Sequence, residues 1–194
     1  MSGRLFLIFV IAAIFAAILF GLRAAFPLYR QRMAIAEIER LGGTVLQVRS
    51  VPTWLQKVFG EEGTAWMNQV LEVNLHDSDA SDSTLALLVA MTGLEEIDVD
   101  GTKVTDVGIA TLSRIASLQT ISLARTEVSD TGLERLAQLK GLRLLYVART
   151  NVTDEGVSQL KRALPGIEIW KLAERESGRG GEIYRLMPGS RTGP

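Results

Sequence analysis

Between Leu94 and Leu172 one apolar pattern recurs at a fixed interval, and that interval limits the possible folds more than any other feature. Leu94-x-x-Ile97-x-Val99-x-x-Thr102-x-Val104-Thr105-Asp106-x-Gly108-Ile109-x-x-Leu112 is the first full copy. Leu118-x-x-Ile121-x-Leu123-x-x-Thr126-x-Val128-Ser129-Asp130-x-Gly132-Leu133-x-x-Leu136 is the second. Leu142-x-x-Leu145-x-Val147-x-x-Thr150-x-Val152-Thr153-Asp154-x-Gly156-Val157-x-x-Leu160 is the third. Leu94, Leu118 and Leu142 stand 24 residues apart. A unit of this size cannot enclose its own apolar side, so consecutive units must stack and share a core.

Each unit divides into a strand and a helix. Leu94, Ile97 and Val99 have the spacing of a short strand entering the core, and Thr102 and Val104 turn the corner. Thr105-Asp106 supplies a helix start, because an N-terminal hydroxyl or carboxylate accepts orphan N–H groups and the negative charge suits the helix dipole. Ile109, Leu112 and Ile115 return to the core at helical spacing. This is the layout of a leucine-rich repeat. A degenerate earlier unit, Val70-x-x-Val73-x-Leu75, carries Asp82 in the aspartate column, Ser78 for the threonine and Thr84 for the glycine. The expected fold is therefore α/β: a leucine-rich repeat solenoid of about four units, each a short parallel strand plus a helix.

Upstream, Leu5 to Leu22 contains no charged residue. It reaches the roughly 18-residue threshold for a transmembrane helix, and it is longer than a signal-peptide core, with no small-x-small site after it. The expectation is a single transmembrane helix ahead of the repeats and a single-pass membrane protein. Arg4 on one side and Arg23, Arg30 and Arg32 on the other lean by one charge toward a cytoplasmic repeat domain, which leaves the side open. Tyr29 to Leu41 reads as a helix with Ala34, Ile38 and Leu41 on one face, stopped by Gly42-Gly43. Thr44 to Arg49 reads as a short strand, and Pro52 to Gly60 as a short helix whose Trp54, Leu55 and Phe59 cover the first repeat. In Ile167-Glu168-Ile169-Trp170, strict alternation buries Ile167 and Ile169, whereas the repeat frame buries Ile167, Trp170 and Leu172. The organisation read from these segments is an anchor over 1–28, a juxtamembrane and capping segment over 29–65, the repeats over 66–172 and a disordered tail over 173–194. That tail is too rich in Gly, Arg, Ser and Pro to order itself.

Composition removes several chemistries. The net charge is −1 and the sequence pI about 5.9, which argues against a general nucleic-acid binder. There is no cysteine and a single histidine, so disulfides, thiolate nucleophiles and cysteine or multi-histidine metal sites are excluded. His76 to Asp82 alternates carboxylates like a calcium loop, but Asp82 and Leu88 occupy the positions that need glycine and glutamate. Asp106, Asp130 and Asp154 precede apolar helical patterns and read as capping residues rather than as a catalytic row. No cofactor, metal or small-molecule substrate is expected, and no enzyme.

The Thr-x-Val-Thr-Asp-x-Gly element in a 24-residue repeat resembles the leucine-rich repeats abundant in planctomycete bacteria, relatives of the cysteine-containing repeats of eukaryotic F-box proteins with threonine in place of cysteine or asparagine. Ala36-x-Ile38-Glu39-x-Leu41-Gly42-Gly43-x-Val45 and Pro52-x-Trp54-Leu55 look like the leader of the same group. The resemblance covers about Leu5 to Trp170 and implies a bacterial inner-membrane location. It is nearly silent on function, since such repeats bind many unrelated partners. No F-box-like segment is present, which argues against a ubiquitin-ligase adaptor.

The concave face is the candidate for function, set against the reading of a merely solvated face, since charged outward residues are the default and Leu144 beside Tyr146 is not. The outward strand positions are Glu72, Asn74 and His76; Glu96, Asp98 and Asp100; Thr120, Ser122 and Ala124; Leu144, Tyr146 and Ala148; Arg125 and Arg149 follow at strand ends. This face grades from acidic through neutral to aromatic and basic, and solenoids bind extended partners there. The candidate binding residues are Glu96, Asp98, Asp100, Ser122, Arg125, Leu144, Tyr146 and Arg149. The expectation is a membrane-anchored scaffold for a protein or peptide partner. The alternative is a structural, envelope-organising protein that self-associates through Leu144 and Tyr146. Ser122, facing out, is expected to tolerate alanine with little effect.

Overall fold

A computed structural model describes residues 29–48 and 68–171, together with residues 15, 26, 54, 57, 58 and 60. Helix α1 covers 29–40. Strand β1 is Thr44–Val48 and β2 is Gln69–Asn74. Helix α2 (Asp82–Leu88), β3 (Glu96–Asp98), α3 (Asp106–Leu112), β4 (Thr120–Ser122), α4 (Asp130–Leu136), β5 (Leu144–Tyr146), α5 (Asp154–Ala163) and β6 (Glu168–Trp170) follow in strict alternation. The six strands form one sheet in chain order. β1 runs antiparallel to β2, and every later pair is parallel. The fold is leucine-rich-repeat-like, with strands in one layer and helices in the other.

The 24-residue period fixes the register. Val73, Ile97, Ile121, Leu145 and Ile169 are aligned partners across β2 to β6. Val73, Ile97, Ile121 and Leu145 are fully buried. Leu94, Leu118, Leu123, Val104, Val128, Leu112 and Leu136 join them in one continuous core between sheet and helices. Helices α2 to α4 have seven residues each, too few to persist alone, so stacking against neighbouring helices supplies their stability. A hydroxyl ladder closes each strand: the Oγ of Ser78, Thr102, Thr126 and Thr150 donates to the carbonyl three residues back, at 2.6 to 2.9 Å. The threonine column of the repeat is therefore a turn device.

The aspartate column works differently from the expected cap. Thr105, Ser129 and Thr153 are the N-caps, accepting from Val107, Thr131 and Gly156 N–H respectively. Each aspartate instead reaches into the next unit. Asp82 Oδ1 accepts from Thr105 N–H at 2.9 Å and Gly108 N–H at 3.0 Å, while its Oδ2 takes the Thr105 hydroxyl at 2.7 Å. Asp106 does the same for Ser129 and Gly132, and Asp130 for Thr153. The glycine column follows from this contact. A Cβ at Gly108, Gly132 or Gly156 would lie 2.4, 2.6 or 2.1 Å from the Oδ1 of the preceding unit's aspartate. Thr84 holds that column in the first unit, where no earlier aspartate arrives, and uses its own hydroxyl to accept from Ser81 N–H at 3.3 Å. At the other end Asp154 receives Lys171 Nζ at 2.7 Å, which holds its carboxyl below the ordinary range.

The N-terminal end is closed by α1 and β1. Ala34 and Ile38 are fully buried and Leu41 packs against the core. Gly42, at φ +79°, ends the helix, and Gly43 N–H donates to Ile38 C=O at 2.9 Å. The strand expected over Thr44 to Arg49 is β1. Trp54 was expected to cover this end and does not: it is 65% exposed, because α1 already occupies the core face. Leu55 and Phe59 lie outside the described residues. In β6 alternation prevails, with Ile167 buried, Ile169 half-buried and Trp170 46% exposed.

The expected transmembrane helix, and with it the single-pass membrane location, is corrected here. Among the described residues no helix is long and apolar enough to cross a membrane. Helix α1, the described helix nearest to that stretch, carries Arg30, Arg32, Glu37, Glu39 and Arg40 and spends its apolar face on the repeat core rather than on lipid. Leu5 to Leu22 falls outside the described residues apart from Phe15, as does the tail over 173–194.

Candidate functional site

The face of the sheet opposite the helices is built from two registered rows. Glu72, Glu96, Thr120, Leu144 and Glu168 form one, and Asn74, Asp98, Ser122, Tyr146 and Trp170 the other. Side chains at alternate strand positions share a face, and neighbouring parallel strands stand about 4.8 Å apart. Each row is thus a line of close neighbours, and its chemistry changes from acidic to aromatic along the stack.

The acidic end is more buried than its outward direction suggests. Asp98, Asp100 and Ser122 are 7%, 9% and 5% exposed. For the two aspartates the burial has a local cause: His76, Asp77 and Arg125 close over them. Arg125 Nε donates to Asp100 Oδ1 at 2.8 Å, and its guanidinium meets Asp77 Oδ1 at 2.8 Å. His76 Nε2 lies 3.0 Å from Asp77 Oδ2, and His76 Nδ1 lies 3.7 Å from Asp100 Oδ2. Asp98 Oδ1 accepts from Asp100 N–H at 2.9 Å, as Asn74 Oδ1 does from His76 N–H at 3.0 Å. Burial drives the Asp98 carboxyl above its ordinary range, against the lowering effect of the Asp100 N–H, of His76 and of a hydrogen bond from Ser122. Ser122 is the register partner of Asp98 and is itself buried, so it is not the solvent-facing residue on which the expectation of a harmless alanine rests. The stretch once readable as a calcium loop is also accounted for: Asp77 pairs with Arg125, Asp79 with Lys103 at 2.7 Å, and Asp82 serves the next unit.

Glu96 is half-buried beside Glu72. Burial raises its pKa first, and repulsion from Glu72 and Asp98 adds to it. The charged form is thus disfavoured in the folded chain. Stability linked to this group is complete at low pH and declines as pH rises through the carboxylate range. Glu96→Gln should accordingly stabilise the protein at pH 7 by about 0.5 kcal/mol, a modest gain because water screens a half-exposed pair. Urea midpoints across pH 3 to 7 test this; a gain that persists at the acidic end would refute the assignment.

The other end of the face is apolar. Tyr146 and Trp170 stack with ring centroids 6.3 Å apart and planes inclined by 30°. Leu144 is half-buried beside them, and the indole N–H donates to Glu168 Oε1 at 3.0 Å. Burial raises the Tyr146 phenol pKa, with Glu168 and Glu96 adding to it. Arg149 is exposed at this end. Of the residues expected to form a site, Asp98, Asp100, Ser122 and Arg125 belong to one packed polar network with Glu96 at its edge. Leu144, Tyr146 and Arg149 lie at the apolar end.

No family model and no curated protein matches the chain. Among solved structures it is similar to a PEPR1–AtPEP1 crystal structure, at 16% identity and a TM-score of 0.38, over 73% of this chain and 24% of that one. The chain spans about a quarter of that protein's length. At that overlap the likeness says nothing about what this chain binds. The leucine-rich-repeat-like fold stands on the chain's own 24-residue register and parallel sheet.

Three participants stand outside the candidate binding set: His76 (which the sequence did place on the outward face) and Asp77, which close over the acids, and Trp170, which completes the aromatic pair. A signal for the first two was present. Asp77, Gly101, Arg125 and Arg149 occupy one column of the repeat, and all four have positive φ, at 52°, 70°, 54° and 54°. Glycine in that column marks a left-handed turn. At Gly101 a Cβ would stand 2.2 Å from Asp77 Oδ1 and 3.0 Å from the Arg125 guanidinium, so the ion pair is formed directly over the glycine.

Proposed function

We propose that the chain is a binding scaffold that holds a protein or peptide partner on the open face of its sheet. The observation that carries this reading is the stacked Tyr146–Trp170 pair with Leu144 at one end of that face. Large apolar side chains left half-exposed on an otherwise polar sheet are characteristic of a contact surface, and Tyr, Trp and Arg dominate binding hot spots. The reading is non-enzymatic: Asp82, Asp106 and Asp130 are each committed to backbone N–H groups, and Asp100 to Arg125.

The test is a paired substitution, Tyr146→Asp with Arg149→Glu, in a pull-down. Loss of the partners captured by the parent chain, with the folded state intact, is the expected result. Recovery of the same partners would move binding off this face. If the two substitutions instead convert a dimer into a monomer in analytical ultracentrifugation, the occupant of the face is a second copy of the chain.

A further inference from the structure

We propose that Arg149 is an open carboxylate receptor, and that the partner is an extended acidic peptide bringing one carboxylate to Arg149 and one large apolar side chain to the Tyr146–Trp170 pair. This rests on the binding-scaffold reading and adds the chemistry of the partner. The argument is a comparison internal to the molecule. Arg125 and Arg149 stand 24 residues apart in the same column, and both have φ 54°. Arg125 is matched by two carboxylates, Asp100 and Asp77, each at 2.8 Å. The residues one unit later that hold those two places are Ala124 and Gly101. Arg149 therefore leaves the chain in the geometry that pairs Arg125, and among the described residues it has no hydrogen bond or ion pair. A non-glycine residue in the left-handed region carries a conformational cost. At Arg125 two ion pairs offset that cost; at Arg149 no described contact does. The guanidinium is a planar donor suited to a carboxylate, and it lies three residues along from Tyr146. A peptide carboxylate supplies the charge that Asp100 and Asp77 supply one unit earlier.

The experiment selects end-blocked random peptides, displayed on phage, against the full chain. The expected winners carry Asp or Glu a few residues from a large apolar side chain. Changing that acid to its amide weakens the synthetic peptide about tenfold, the size of a partly exposed charge-assisted pair, and Arg149→Gln abolishes the difference. Arg149→Gly loses the same discrimination while its melting temperature is unchanged or raised by about 2 °C, because glycine suits the left-handed backbone. A merely structural arginine would not separate these readouts. Winners without an enriched acid, or an acid-to-amide penalty that survives Arg149→Gln, overturn the proposal and leave the scaffold reading standing. Winners indifferent to Tyr146→Ala, or no enrichment at all, overturn both.

Discussion

Gly132→Ala should destabilise the protein by about 2–4 kcal/mol, although alanine is by itself the better helix residue by about 1 kcal/mol. The new methyl would stand 2.6 Å from Asp106 Oδ1 and 2.9 Å from a Val128 methyl. A free carboxylate would swing aside at little cost. This one is tied to Ser129 N–H at 2.8 Å, to the Ser129 hydroxyl and to Gly132 N–H at 3.1 Å. Moving it leaves those groups unpaired in a part-buried place, which costs about 1–3 kcal/mol. Two comparisons make the mechanism checkable by urea denaturation. Thr84→Ala, at the same column with no upstream aspartate, should cost less than about 1 kcal/mol. Asp106→Ala combined with Gly132→Ala should cost clearly less than the sum of the two single changes, since one lost contact is counted twice. An additive cycle would show that the aspartate and the glycine do not act together.

Leu123→Ala should cost about 2–5 kcal/mol, the range for a large-to-small change in a core that relaxes only partly. Leu123 is fully buried, directly after β4, in the same column as Val99 and Val147. Every neighbouring unit touches the space it fills, so collapse around the cavity would have to disturb two interfaces at once. Ser122→Ala, one residue earlier on the opposite face, should cost about 1–2 kcal/mol, because it removes a buried hydroxyl registered beside the buried Asp98 carboxyl. Denaturant midpoints of the two variants decide between readings of the strand. Equal losses would mean that the inward and outward sides have been misassigned, and a neutral Ser122→Ala would mean that Asp98 is satisfied without it.

Periodicity made the core legible. Leu94, Ile97 and Val99 and their counterparts one and two units on are buried where a 24-residue repeat requires. The same periodicity could not show what a column touches. Asp106 and Asp130 were recognisable as residues belonging to helix starts, yet a spacing within one unit does not say that the carboxylate serves the unit after it. The substitution of Thr84 for glycine in the one unit without a predecessor was the available clue. On the open face, alternation separates inward from outward but not covered from bare. Asp98 and Asp100 are outward and still buried, because His76 and Arg125, at the ends of the strands on either side, reach their carboxyl groups. Trp54 failed as a cap for a related reason: apolar character marks a residue that can cover an end, and α1 with Ala34 and Ile38 had already done so.

The carboxylate-to-glycine contact points only one way along the stack, and this gives the molecule a grammar. Every interior unit offers an acid downstream and accepts one from upstream, so a unit is a word with a fixed left and right. A duplicated or deleted block of 24 residues would leave each junction spelled as before, and such an array can lengthen or shorten in whole words without rewriting its neighbours. The ends are where the grammar is broken, with Thr84 opening the sentence and Lys171 against Asp154 as its full stop.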